Sequence, residues 1–121
     1  MDLSFTNPEL ARLCNRHTAL SAWVGDDATA IQQLLNELDC ADCLGRIDEL
    51  PHVQLRRAPR GRITAEGADE AGVLLAPLLK QAQSFRDAEA AVILAVAVRE
   101  EEFNPEGAPW PRLSAISRTI R

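Results

Sequence analysis

The sequence predicts a small α+β domain in which two helices pack on a sheet. Apolar residues recur at helical spacing in the first third of the chain, and strand-like runs rich in Val, Ile and Leu follow in the rest. The chain has 121 residues, of which 46% are hydrophobic, so it can bury one core. We therefore expect a single domain over residues 1–121.

Charge, apolar runs and cysteine count indicate which partners and which cell compartment to expect. Asp and Glu residues number 18 against 13 Lys and Arg residues, so no global field attracts nucleic acid to this chain of net charge −5. There is no run of about eighteen apolar residues and no secretory signal, which predicts a cytoplasmic protein that does not bind a membrane. The three cysteines form an odd set, which favours reduced thiols over a disulfide framework.

The first third of the chain predicts a strand followed by two helices. Residues 2–5 alternate polar and apolar side chains, and Asn7 followed by Pro8 is typical of a helix start. Helical spacing then continues to Val24, and Gly25 ends it. The apolar positions of this first helix are Leu10, Leu13, Cys14, His17, Leu20 and Trp23. The second helix carries the stripe Ile31, Leu34, Leu35 and Leu38, and two such helices must bury their stripes on each other or on a sheet.

A hairpin is predicted in the middle of the chain. Residues 43–51 read as a short turn that leads into extended chain. Residues 53–57 and 62–66 are then two predicted strands around a turn at residues 58–61, where Pro and Gly occur.

The last third of the chain leaves one alternative open. Residues 72–78 are apolar enough for a buried strand, although residues 74–84 can equally form a helix. The run at 90–98 is rich in Val and Ile, which favours a strand over a helix. The Pro-rich segment 104–111 predicts a loop, and residues 113–120 predict a C-terminal edge strand.

The opening residues carry a resemblance to a known family. Ser4 and Phe5 lie in a short strand, and the Leu13–Cys14 pair lies in the helix that follows. This arrangement resembles the HigB-like, plasmid-maintenance killer toxins of the RelE/ParE superfamily. The resemblance continues through the second helix to Leu50–Pro51, which usually precedes the next strand, and it is clearest over residues 1–66. Further on, either residues 91–99 or the tail after Trp110 matches the family's last strand.

The resemblance implies a fold, an activity and partners. It implies a helical hairpin packed on a twisted, mainly antiparallel sheet. It also implies ribosome-dependent cleavage of mRNA, or gyrase poisoning in the ParE branch, and a cognate antitoxin protein that holds the toxin inactive. The partners expected are therefore the antitoxin, the ribosome and mRNA, and no cofactor is expected.

The predicted hairpin matches the basic hairpin of the family and supplies four candidate residues for binding phosphate or an acidic partner. These are Arg56, Arg57, Arg60 and Arg62. A guanidinium fork suits a solvated or ion-paired surface, an acidic antitoxin segment, or RNA phosphate. The Asp-Tyr-His pattern of many relatives is replaced by Glu100–Glu102 on one alignment, and on the other the chain ends before it. The catalytic residues therefore stay unassigned.

Other polar residues have simpler interpretations. His17, on the apolar side of the first helix, is expected to be a core histidine, and His52 precedes a strand that leads to the Arg hairpin. Cys40 and Cys43 have the spacing of half a zinc site or of a redox pair, but no second pair exists, so we expect partly buried thiols and no metal. The three glutamates at 100–102 are expected to form a solvated turn.

Two functional hypotheses follow. The first is a toxin-like component of a type II toxin–antitoxin module that cleaves mRNA through an altered site. The second is a catalytically inactive domain that keeps the fold as a protein-binding module, which the acidic charge and the absence of Tyr favour.

Overall fold

The computed structural model contains a six-stranded sheet with helices packed on one face. It describes residues 1–81, 83–98 and 101–103. The α+β class predicted from the sequence is confirmed. Among the described helices, none is both long and apolar enough to cross a membrane.

The N-terminal helical region contains two helices where one was predicted. Helix α1 spans Pro8–Asn15 and begins as expected, because the Asn7 side chain accepts a hydrogen bond of 3.0 Å from the Leu10 backbone N–H. Helix α2 spans His17–Val24, and Arg16 between them is extended. The prediction of one continuous helix is therefore wrong. Cys14 and Leu20 are both buried, and in a straight helix they would point about 120° apart. The break lets both reach the core.

The second predicted helix is confirmed, and a short helix follows it. Gly25 ends α2 with φ 64, a left-handed conformation that glycine adopts without strain. Helix α3 spans Ala28–Cys40 and buries the predicted stripe. Helix α4, Leu44–Asp48, replaces the turn predicted over residues 43–51, because burial of Leu44 and Ile47 on one face favours a helical turn.

The described strands are β1 Asp2–Phe5, β2 Gln54–Ala58, β3 Arg62–Glu66, β4 Ala71–Pro77, β5 Ala90–Val98 and β6 Glu101–Phe103. Five of the described strands lie close to their predicted positions, and the sixth, β6, was not predicted as a strand. Of the two alternatives after residue 71, the structure contains the strand. The sheet order is β1-β5-β4-β3-β2, with β6 also paired to β5. The β1–β5 pair is parallel and the other described pairs are antiparallel, so the sheet is mixed.

The predictions at the C-terminal end have different outcomes. Glu101 and Glu102 lie in β6, so a turn is wrong for these two residues, because their backbone pairs with Val98 and Ala97. Glu100, the predicted loop at 104–111 with Trp110, and the predicted edge strand at 113–120 lie outside the described residues.

Alternation along the strands gives the sheet two faces. One face joins the helices in the main core, to which the hairpin contributes Ile63 and Ala65. The opposite face, which we call the second face, carries the separate apolar cluster Leu74, Leu94 and Ala95. Strand β2 lies at the edge of the sheet, so the hairpin has an open side.

Candidate functional site

The four candidate arginines do not form one surface. Arg56 lies opposite Thr64 in the β2–β3 register, and Arg62 lies opposite Ala58, which puts both on the second face. Arg57 lies opposite the core residue Ile63 and therefore points to the helix side. Arg60 lies in the turn between the strands. The hairpin thus has a turn end, with the turn and Arg57, and an open end, where β2 begins and β3 ends.

The turn end carries exposed cations. Arg60 is exposed and adopts φ 65, a left-handed conformation, next to Gly61 at φ 72. Arg57 is also exposed, and its guanidinium carbon lies 4.9 Å from the centre of the Phe85 ring. Among the described residues, neither arginine forms an ion pair, and no strand pairs with the outer edge of β2. This end presents positive charge beside unpaired backbone groups.

The open end carries paired charges that are largely shielded from water. Arg56 Nε lies 3.5 Å from Glu66 Oε1, and the two side chains are 23% and 14% exposed. Arg56 Nε, Arg56 Nη2 and Glu66 Oε1 are buried without a hydrogen-bond partner. Burial raises the pKa of Glu66 above its ordinary value of 4.5, Arg56 opposes that rise, and the charge of Glu70 adds to it. The carboxyl group therefore keeps its proton to a higher pH than an exposed glutamate does.

A histidine and a second carboxylate adjoin this pair. His52 Nε2 is in hydrogen-bond contact with Glu37 Oε2 on α3. His52 and Glu66 both line a cavity of about 310 Å³ at the open end of the hairpin. The other lining residues are Pro51, Val53, Gln54 and Gly67. The cavity thus brings together an imidazole and a carboxyl group, which are the side-chain types that transfer protons in catalysis.

The other predicted candidates do not form a site. His17 is exposed at the start of α2, so its prediction as a core histidine is wrong. The extended residue Arg16 interrupts the helix, so His17 does not continue the apolar face of α1. Cys40 is exposed at the end of α3, contrary to the expectation of a partly buried thiol, whereas Cys43 is half-buried. Burial raises the pKa of the Cys14 thiol to about 12, which makes it unreactive. Within the described part of the chain, no three His, Cys, Asp or Glu side chains are placed to hold a metal ion.

Sequence reasoning missed two residues of the open end, Glu37 and Glu66. Glu66 ends a predicted strand on the same face as Arg56, so strand alternation could have indicated it. Glu37 lies on α3, fifteen residues before His52, and no local pattern predicts its contact with the loop before β2.

Comparison of the chain with protein-family models, curated proteins and solved structures found no match.

Proposed function

We propose that this chain is the toxin-like component of a type II toxin–antitoxin module in the cytoplasm, with a divergent RelE/ParE-type fold. The observation that carries the proposal is the open edge of β2 beside the exposed Arg57 and Arg60. On this proposal, an acidic, extended segment of the cognate antitoxin binds at that edge.

The chemistry of the edge suits such a segment. A strand at the edge of a sheet offers backbone N–H and C=O groups, to which an extended peptide can add as a further strand. Arginine binds carboxylates through a planar fork of donors. The chain as a whole carries a net charge of −5, so it repels acidic partners over most of its surface. Arg57 and Arg60 therefore favour binding of an acidic segment at this edge in particular.

The resemblance adds to this argument. The order of elements supports the kinship in part: a strand is followed by four helices, of which α2 and α3 meet near Gly25, and then by an Arg-bearing hairpin. These features support a kinship of fold, and the antitoxin is the partner that the kinship implies.

The binding experiment uses the antitoxin as the partner, which the proposal expects to be a small helix-turn-helix protein encoded by the neighbouring gene. Calorimetric titration should show tight binding, and the double variant Arg57→Ala/Arg60→Ala should bind about 30-fold more weakly, from about 1 kcal/mol lost per exposed charged contact. Arg12→Ala, an exposed arginine on α1, is the matched control and should bind like the wild type. The antitoxin proposal would be contradicted if the wild type, the double variant and Arg12→Ala bound with equal affinity, or if no helix-turn-helix protein were encoded by the neighbouring gene.

A second candidate is the catalytically inactive binding module. The distribution of the four arginines over two faces and a turn favours it, because a phosphate site needs its cations on one surface. Induced expression in bacteria separates the candidates. Growth arrest with cleaved mRNA supports the toxin, whereas antitoxin binding without arrest supports the inactive module.

A further inference from the structure

Another cavity lies at the opposite edge of the sheet from the hairpin. It has a volume of about 500 Å³ and is enclosed by strand β1, the end of α1 and one face of α3, and we call it the β1 cavity. Cavities of this size are typical of sites that hold small organic molecules. Strands β1 and β2 stand at the two ends of the strand order, so the β1 cavity is separate from the edge at which the antitoxin is proposed to bind.

One half of the β1 cavity is apolar and uncharged. Leu3 and Phe5 line it from β1, where both are half-buried, and Leu35 of α3 is buried in the main core. Cys14 is also buried, and burial raises the pKa of its thiol to about 12, so the thiol stays neutral at physiological pH. This half of the cavity can therefore pack against hydrocarbon, and it offers no strong partner to a charged group.

The other half of the β1 cavity is formed by polar side chains. Gln32, Asn36 and Asp39 follow one another at helical spacing on one face of α3, and Asn15 is the last residue of α1. The Gln32 amide nitrogen donates a hydrogen bond of 2.6 Å to the Cys14 carbonyl, so the Gln32 Oε1 atom is left as an acceptor. Among the described residues, the side chains of Asn15, Asn36 and Asp39 form no hydrogen bond or ion pair. These groups are available to a ligand.

The charge of the β1 cavity is negative. Asp39 is the one charged side chain among the described residues that line it. The Met1 ammonium group lies close by, but it donates to the backbone carbonyls of Asp39 and Ala41 and forms no ion pair with the Asp39 carboxylate within the described part of the chain. An anionic ligand would therefore meet a carboxylate and no lining cation, whereas a cationic ligand would meet an acceptor of opposite charge.

The backbone of β1 adds further acceptors beside the cavity. The N–H groups of Asp2 and Thr6 donate hydrogen bonds of 2.9 and 3.0 Å toward the β5 side of the strand. Because backbone groups alternate in direction along a strand, those of Leu3 and Phe5 point away from β5, toward the open edge. The two residues that line the apolar half thus also present carbonyl oxygens at this edge.

We propose that the β1 cavity binds a small organic cation that carries a guanidinium or ammonium group on a short hydrocarbon chain. Asp39, Gln32 and Asn36 accept hydrogen bonds from the cation, and the hydrocarbon chain packs on Leu3 and Phe5. A guanidinium group suits this lining because it has several N–H donors and no acceptor. The net charge of −5 also raises the local concentration of cations. This ligand site goes beyond the toxin-like function and does not depend on it.

The test compares two small molecules of almost the same shape that differ in charge. Butylguanidinium is the probe and butylurea is its neutral counterpart, and each is titrated into the isotopically labelled full chain while amide chemical shifts are recorded by NMR. Butylguanidinium should shift the amides of Leu3, Phe5 and Asn36, with a Kd of about 1 mM for a ligand of about eight non-hydrogen atoms. Butylurea should bind about 10-fold more weakly, because it lacks the charge-assisted contact with Asp39.

Two isosteric variants should change the affinity in opposite directions. Asp39→Asn removes the charge and should weaken butylguanidinium binding about 5-fold, whereas Asn36→Asp adds a charge on the same face of α3 and should strengthen it about 5-fold. Unfolding cannot produce a gain in affinity, so Asn36→Asp tests the proposal even if Asp39→Asn is unstable. Asp42→Asn is the matched control, because it removes the same charge from an exposed residue that does not line the cavity. It should bind like the wild type.

Selective shifts at the β1 cavity, with the opposite effects of the Asp39 and Asn36 variants, would support the site. The proposal is overturned if butylguanidinium shifts no amide of the cavity at about ten times the expected Kd, or if butylurea binds equally well. Equal weakening in Asp39→Asn and Asp42→Asn also overturns it, because attraction by the net charge of the chain would then explain the binding. The antitoxin titration is a separate measurement, so either proposal can fail while the other stands.

Discussion

The two ends of the β2–β3 hairpin place charged side chains in opposite environments. At the turn end, Arg57 and Arg60 are exposed, and water screens them. At the open end, Arg56 and Glu66 are mostly buried, and His52 contacts a carboxylate of α3. Charges at the turn end should therefore affect association with partners, whereas charges at the open end should affect protonation and stability.

The difference comes from the packing around each end. The turn end projects beyond the strands, so its side chains keep their hydration and cost little to the fold. The open end lies beside α3 and α4, where Gly67 approaches Leu34 and the loop before β2 brings in His52. The side chains of Arg56 and Glu66 lose water there, so each must compensate the charge of the other.

The largest expected effect on stability is at the open end. Arg56→Ala should lower the free energy of unfolding by about 2 kcal/mol, between the values for exposed and for buried ion pairs, because Glu66 loses its cation. Urea unfolding at neutral pH measures the change. Arg62→Ala on the same face is the control and should cost less than about 0.5 kcal/mol. Equal losses of stability in Arg56→Ala and Arg62→Ala would show that the ion pair at the open end does not stabilise the fold more than an arginine beside the turn does.

A smaller effect should appear in the pH dependence of stability. The pKa of Glu66 is raised in the folded state, so the folded protein binds a proton more tightly than the unfolded chain. The resulting stabilisation is complete below the unfolded value of 4.5 and is lost as pH rises through the raised folded pKa. The stability of the wild type relative to Glu66→Gln should therefore increase as the solution is acidified across this window.

Urea titrations at a series of pH values measure this difference. Glu102→Gln, which changes an exposed carboxylate on β6, serves as the comparison protein. The wild type should gain stability over Glu66→Gln on acidification. If this stability difference stays constant or falls, the Glu66 carboxyl is not desolvated in the folded protein.

The smallest effect on stability is expected at the turn end. Arg60 adopts φ 65 and ψ 36, a region that costs an L-residue about 1 kcal/mol and glycine almost nothing. Arg60→Gly should therefore leave the melting temperature unchanged or slightly higher, while affinity for the antitoxin falls. Thermal unfolding and calorimetric titration measure the two quantities. A clear loss of stability would mean that the Arg60 side chain supports the fold.

Local patterns predicted much of the fold. Asn7–Pro8 predicted the start of α1, the apolar stripe predicted α3, and Pro59 to Gly61 predicted the hairpin turn, because each depends on neighbouring residues alone. Alternation along β2 also separates Arg56 from Arg57, so the division of the arginines over two faces follows from the strand prediction itself.

The remaining features depend on tertiary packing. The break at Arg16 and the short helix α4 follow from how the helices meet the sheet, which no local pattern records. The contact between Glu37 and His52 joins a helix to the loop before β2, so single-sequence periodicity cannot predict it. The candidate site was therefore predictable as a basic hairpin and not as a cavity lined by His52 and Glu66.

The pairing of β1 with β5 sets an order of events during synthesis. Residues 2–5 leave the ribosome long before their partners, residues 90–93, so β1 cannot pair until β2, β3 and β4 have also been made. Closing so long a loop is slow, whereas the helices and the hairpin need only near neighbours. In pulse-labelled hydrogen exchange, the amides of β1 should gain protection last. Early protection of β1 would instead point to a temporary, non-native partner for this strand in the nascent chain.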